Sequence, residues 1–253
     1  MNLQEGLIHY LFSTKILPAD IYYPIFFTAI VLVIALSYFL GSINSAIIIS
    51  RIVYRDDVRK HGSGNPGMTN MLRTFGKKAA LLTLVGDMSK TVISILFAAT
   101  LFGFHYYYGI SAHYYGFCYI AGLFSVLGHV FPIYYKFKGG KGVLCTATMV
   151  LILSPIPFLA LFLLFVALVA WTKYVSLGSV SAAVLYPVAL HANFSMIGCA
   201  EGGLISLSSI IIAILVVWCH RANLQRISNK TENKISFGKK KPKPEEEASD
   251  DEK

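Results

Sequence analysis

The chain has 253 residues, 55% of them hydrophobic and 14% charged, with a formal net charge of +9. That balance excludes an ordinary water-soluble domain and makes the chain an all-α, polytopic integral membrane protein. The lysines and arginines gather between apolar runs, so the positive charge reads as membrane orientation and not as nucleic-acid binding.

Residues 1–20 form a mixed N-terminal extension ending in Pro18-Ala19-Asp20, without the basic region, short apolar core and cleavage site of a signal peptide. Tyr22 and Tyr23 then open an apolar run to about Ser50, the first predicted span, with aromatic anchors at its start. Gly41, Ser42, Asn44 and Ser45 near its end suit close helix packing. Residues 51–78 are strongly basic and contain Gly62-Ser63-Gly64-Asn65-Pro66-Gly67-Met68-Thr69-Asn70, a composition that predicts a structured loop leading into a helix. Arg73 follows Thr69 by one helical turn.

Residues 79–104 are the second span, with Asp87 and Lys90 inside it at a spacing that puts them on one face. Such ionisable groups usually face a polar cavity. A tyrosine-rich connection at 105–113 without lysine or arginine precedes the third span, at about 114–134. Next comes Phe137-Lys138-Gly139-Gly140-Lys141-Gly142. Glycine backbone can turn its N–H groups inward as a nest for a phosphate, and Lys141 adds a charge.

Residues 143–171 read as one tilted helix or as two short ones broken at Ser154-Pro155-Ile156-Pro157, and the paired prolines favour the break. Charge parity agrees. With two short crossings the chain crosses seven times, and the segment 51–78, the glycine-lysine loop, Lys173 and the basic tail share one side. The connections at 105–113, 154–157 and 191–202 share the other side and carry no lysine or arginine. The positive-inside rule then puts the N-terminus outside and the C-terminus in the cytoplasm. Residues 174–193 and 203–219 are the sixth and seventh spans, and His220 and Asn223 follow, three apart on one helix face. The membrane domain is therefore 21–235, and 236–253 is a charged tail whose composition reads as disordered.

On this topology three polar clusters share the cytoplasmic face: the Ser63–Arg73 loop with Asn65 and Thr69, the Gly139–Gly142 loop, and His220 with Asn223. Ser179 is expected at a helix start on the same level, where unpaired N–H groups favour anions. The ensemble suits phosphate groups and one proton transfer. Familiar machines are missing. A phosphate-binding loop of the GxxxxGK type needs a glycine where Tyr135 stands. No histidine has an acidic residue five positions on, no G-x-S-x-G occurs, and acidic residues near the loops are too few for a two-metal site. The four cysteines are scattered without CxxC spacing, which supports neither zinc nor a disulfide framework. Neither metal nor cofactor is expected. A non-enzymatic carrier for a phosphorylated metabolite would share the basic lining, but it predicts polar residues running through to the other face and an inverted repeat, and neither is present.

Taken together, GSGNPGMTNMLRTFGKKA, GHVFPIYYKFKGGKGV with the LSP that follows, YVSLGS, HRANLQRI and TENKI resemble the bacterial acyl-phosphate:glycerol-3-phosphate acyltransferases, the PlsY family. The resemblance covers about residues 35–235. It implies seven helices in the bacterial cytoplasmic membrane and a site facing the cytoplasm. The implied reaction moves a fatty acyl group from acyl phosphate to the 1-hydroxyl of sn-glycerol 3-phosphate. Its products, 1-acyl-glycerol 3-phosphate and inorganic phosphate, begin phospholipid synthesis. The family's functional residues fall on Ser63, Arg73, Lys141, Ser179, His220 and Asn223. Two departures are local: Ala222 stands where an acidic residue is usual, and Pro66 and Met68 replace small or aliphatic residues. Gly139, Gly140, Gly142 and Lys141 are then expected on the donor's phosphate, and Ser63, Arg73 and Ser179 on the other substrate. Either His220, oriented by Asn223, or a substrate phosphate oxygen takes the proton. The implied partners are the two substrates, the bilayer and, transiently, the enzyme that makes acyl phosphate.

Overall fold

The structure, a computed structural model, describes residues 6–103, 112–198 and 202–235. Most of the tyrosine-rich connection at 105–113 and the tail 236–253 lie outside the described residues. Among the described residues there are helices and turns and no strand. The helices are α1 (Gly6–Ser13), α2 (Tyr22–Ser42), α3 (Ser45–Val53), α4 (Met68–Phe75), α5 (Lys77–Phe102) and α6 (Ala112–Val130). They continue as α7 (Val143–Leu153), α8 (Pro155–Thr172), α9 (Val175–Met196), α10 (Gly203–Cys219) and α11 (Arg221–Ser228).

Five stretches are long and apolar enough to cross a bilayer: Ala19–Val53, Lys77–Phe102, Tyr115–Tyr135, Pro155–Thr172 and Val175–Met196. α10 and α11, bent by 52° at His220, make a sixth when the pair is counted as one span. The first apolar run does not stay helical to Ser50. Ile43 turns extended, and the Asn44 side chain restarts the chain as α3 by accepting from the Ile47 amide at 3.0 Å. The break expected at the paired prolines is present. Ser154 ends α7, and Pro155 opens α8 at the position where no amide is needed. Only one of the two helices there is short, however. α8 has 18 residues, a full crossing, whereas α7 has 11 and spans about 16 Å against a hydrocarbon core of about 30 Å. The carbonyls that end α7 are not left bare. Tyr115 Oη donates to Leu153 O at 2.7 Å, and Tyr119 Oη lies 2.5 Å from Ser154 Oγ.

α6 is the hub of the bundle. In its span 67% of the residues are buried, against 11% for α8, which presents an exposed apolar surface including Trp171. Small residues let α6 touch its neighbours' backbones. A Cβ on Gly128 would lie 2.3 Å from Tyr38 O, and one on Gly41 would lie 2.2 Å from Ser125 O. The α2–α6 crossing therefore has no room for a methyl group. Gly128→Ala is expected to force the two helices apart and destabilise the protein by about 1–3 kcal/mol. A thermal melt in detergent checks this, and an unchanged midpoint would count against the close contact.

Candidate active site

Where α6 and α10 end and α7 and α9 begin, the bundle opens into a cavity of 410 Å³. Ser63, Asn65, Thr69 and Arg73 line one side, Lys141 and Gly142 a second, and His220 and Asn223 a third. The cavity continues along an apolar wall that includes Val150, Phe158, Phe162, Phe165 and Tyr186. The tertiary structure thus joins all three predicted polar clusters to one greasy groove.

The first loop is held by Asn70, a residue with no marked role in the sequence pattern. The amide nitrogen of Asn70 donates to Val58 O at 3.1 Å and to His61 O at 3.0 Å, and its Oδ1 accepts from the Ser63 amide at 3.0 Å. Gly62 has a positive φ of 57°, and a Cβ there would lie 2.2 Å from Asn70 Oδ1. Asn44 adds a second tie by donating to Pro66 O at 3.3 Å. Ser63 and Arg73 are exposed at the cavity rim, where a soluble anion could reach them.

The glycine-lysine loop is built differently from the nest expected of it. The amides of Gly139 and Gly140 donate back to Val130 O and His129 O, at 3.2 and 3.1 Å. Neither glycine lines the cavity, so the expectation that both would hold phosphate through their backbone is corrected. They are glycines because the loop lies against the end of α6: a Cβ on Gly140 would come within 2.1 Å of His129 Nε2. Gly142 does line the cavity, with a left-handed φ of 75°, and it hands the chain straight into α7. The first amides of α7, at Val143 and Leu144, have no partner within the helix, and both residues line the cavity.

Lys141 donates to Asn223 Oδ1, linking the loop to the region just past α10. The other end of Asn223 is also engaged. Its Nδ2 donates to Ser176 Oγ at 2.9 Å and to Glu232 Oε1 at 2.6 Å. Ser176 donates to Glu232 Oε1 at 2.7 Å, and Arg226 Nε to Glu232 Oε2 at 2.7 Å. Ser176 and Glu232 were not singled out from the sequence. The available signal was one acid, Glu232, in a basic segment just after a helix. Burial pushes the Glu232 carboxyl up, but the bonds from Ser176, Asn223 and Arg226 outweigh it and hold its pKa below the ordinary value. Ser179 lines the cavity but does not start a helix, as had been expected. It sits a turn inside α9, and its hydroxyl donates to Val175 O at 2.9 Å.

His220 is buried, lines the cavity and stands at the bend between α10 and α11. Its Nδ1 lies 2.8 Å from Val216 O, a carbonyl that can only accept, so Nδ1 carries the proton. Nε2 is left as the basic nitrogen. The site therefore offers a charge for an anion, a guanidinium and hydroxyls at the rim, and one ring nitrogen able to take a proton.

Burial holds the Lys141 ammonium down to about 8, with the nearby Glu232 opposing the shift. A lysine with a lowered pKa loses its charge as pH rises through that value. kcat/KM for an anionic substrate is thus expected to fall above pH 8. Lys141→Arg, which keeps its charge at every working pH, should abolish that alkaline fall while lowering the plateau. An alkaline limb that persists in the arginine variant would show that another group titrates there.

The family model described as glycerol-3-phosphate acyltransferase matches residues 31–230. Glycerol-3-phosphate acyltransferase 2 of Bacillus cereus (strain ATCC 10987 / NRS 248) is 38% identical over 213 residues, covering 83% of this chain and 96% of the relative. The glycerol-3-phosphate acyltransferase of Bacillus subtilis (strain 168) is 37% identical over 211 residues, covering 82% and 98%. Among solved structures, the glycerol 3-phosphate form of PlsY, an integral membrane glycerol 3-phosphate acyltransferase, superimposes with a TM-score of 0.71 at 31% identity, covering 82% of this chain and 96% of that one. Its lysophosphatidic acid form gives 0.69 at 30% identity.

Proposed function

The chain belongs to the glycerol-3-phosphate acyltransferase family, and we propose that its cavity transfers a fatty acyl group from acyl phosphate to the 1-hydroxyl of sn-glycerol 3-phosphate. The products are 1-acyl-glycerol 3-phosphate and inorganic phosphate. One observation carries this reading: Lys141, Asn223 and His220 meet on a cavity that has cationic and hydroxyl groups at its rim and an apolar wall behind. That is the shape of a site for a small anion beside a lipid-tailed one.

An acyl phosphate is a mixed anhydride with a good leaving group, so no covalent nucleophile is required of the protein. The glycerol 1-oxygen attacks the acyl carbon, its proton passes to His220 Nε2, and the carbon–oxygen bond to phosphate breaks. Lys141 and the first amides of α7 hold the donor's phosphate and take the charge that builds on it as it leaves. Ser63 and Arg73, with Asn65, Thr69 and Ser179, hold the acceptor, and a guanidinium can grip phosphate oxygens in bidentate fashion. Bringing two anions together is the main barrier, and positioned positive groups lower it. The acyl chain lies along Phe158, Phe162 and Phe165 of α8, a helix that is otherwise largely exposed.

The chain crosses the bilayer seven times, with α7 as a short crossing, the N-terminus outside and the cavity at the cytoplasmic face of a bacterial inner membrane. α7 supports this by its course. It starts at Gly142, packed on Val126 and Val130, and ends under Tyr115 and Tyr119, so it accompanies α6 for most of its described length. Arg73, Lys141 and Arg226 line the cavity, and the basic segments that carry Arg51 and Lys173 share its side in the seven-span reading, the side the positive-inside rule assigns to the cytoplasm. The enzyme that makes acyl phosphate would dock transiently on this face.

Purified protein in lipid, given palmitoyl phosphate, should release phosphate only when glycerol 3-phosphate is present and should not turn over acyl-CoA. His220→Ala is expected to lower kcat by about 10²–10⁴ with little change in either KM. Turnover near wild type in that variant would remove His220 as the base.

A further inference from the structure

The mechanism above makes no use of a charged cluster buried in the membrane-spanning part. Asp87 and Lys90 on α5 and His129 on α6 are all at most 4% exposed. Lys90 Nζ donates to Gly41 O at 3.0 Å, to Ile43 O at 2.7 Å and to His129 Nδ1 at 2.9 Å, and it stands 3.0 Å from Asp87 Oδ1. Stability is a poor reason to keep such a group, since an apolar pair of similar volume is often as stable as a buried ion pair. Ionisable groups at this depth usually serve the site.

What the cluster touches shows its use. Gly41 O and Ile43 O lie at the break between α2 and α3, where helix carbonyls lose their partners. The same break carries Asn44, which holds Pro66 of the first loop. On the other side, an ammonium can only donate, so His129 Nδ1 accepts and the ring's proton is on Nε2. That Nε2 edge packs against Gly140, and His129 O accepts from the Gly140 amide. Lys141 is the next residue. One ammonium therefore grips the anchors of both glycine-rich loops.

We propose that Lys90 is a positioning residue for acyl transfer: by holding His129 and the α2–α3 break together, it sets the Lys141 loop and the Ser63–Arg73 loop at a working distance across the cavity. The inference rests on the role given to Lys141 above. It predicts that Lys90 acts through the loops and not on substrate.

Lys90→Met combined with Asp87→Asn tests this, because removing both charges leaves no lone buried ion. The double variant is expected to fold with a lowered melting midpoint, because Gly41 O and Ile43 O lose their donor, and, assayed below that midpoint, to lose about 10- to 100-fold in kcat/KM, the scale of a small misplacement. Lys141, followed by pH-dependent amine acetylation and mass spectrometry, should titrate above its value of about 8, nearer 10.5. Added to Lys141→Met, the pair should cost little more, since residues acting through one element are not additive. A folded double variant with unchanged kcat/KM and unchanged Lys141 labelling overturns the proposal. So does a full, multiplicative loss in the Lys141→Met background. If the pair does not fold, His129→Gln, which leaves Asp87 and Lys90 together, carries the same expectations for rate and labelling. Near-wild-type turnover of Lys141→Met would instead sink the phosphate role of Lys141, and the labelling would still report whether the cluster sets the loop.

Discussion

The proposed chemistry depends on keeping a lysine ammonium charged while it is half-buried at the cavity wall. Among the described residues Lys141 is held by a neutral partner, Asn223, which accepts from it without cancelling its charge. The counter-charge is set one step back, on Glu232, and is shared with Ser176 and Arg226. A carboxylate directly on Lys141 would form a closed ion pair and compete with a phosphate. Held at one remove, it steadies Asn223 and leaves the ammonium attractive to an anion. Beside the cavity's apolar wall that attraction is stronger than at an open surface.

Glycine serves the same end by saving space and not by binding. At Gly41 and Gly128 its missing side chain lets α2 and α6 touch backbone to backbone. At Gly139 and Gly140 it lets the loop fold back on the last turn of α6, satisfying two carbonyls there. That contact brings the loop, the end of α6 and the start of α7 to one point. The start of α7 then supplies free amides at the place a soluble phosphate-binding loop would use its own glycines.

Three interruptions in otherwise regular helices fall where they matter. The breaks after α2 and at His220 lie at the cavity end, and the break at Ser154 sets the length of α7. In lipid each broken ladder needs new partners, and each finds them. Lys90 takes the carbonyls after α2, and Tyr115 takes Leu153 O. The His220 amide reaches back to Val216 O and Val217 O. Irregular backbone survives at this depth because it is buried in protein or faces the cavity.

Composition and local pattern, by themselves, determined the helical membrane class, the break at the paired prolines and the identity of Ser63, Arg73, Lys141, His220 and Asn223 as cavity residues. Those features are written in consecutive residues: apolar runs, missing amides and polar groups at span ends. The order of the motifs also sufficed to show the resemblance to the acyltransferase family. Tertiary structure decided the rest. It set where the Gly139 and Gly140 amides point, put Ser179 a turn inside α9, made α8 a full-length helix, and brought Ser176, Glu232, Asn44 and Asn70 into service. In each case the outcome turned on which donor and acceptor came within about 3 Å across elements distant in sequence. A glycine's N–H has no preference of its own between a phosphate and a carbonyl. The end of α6, folded against the loop, made that choice.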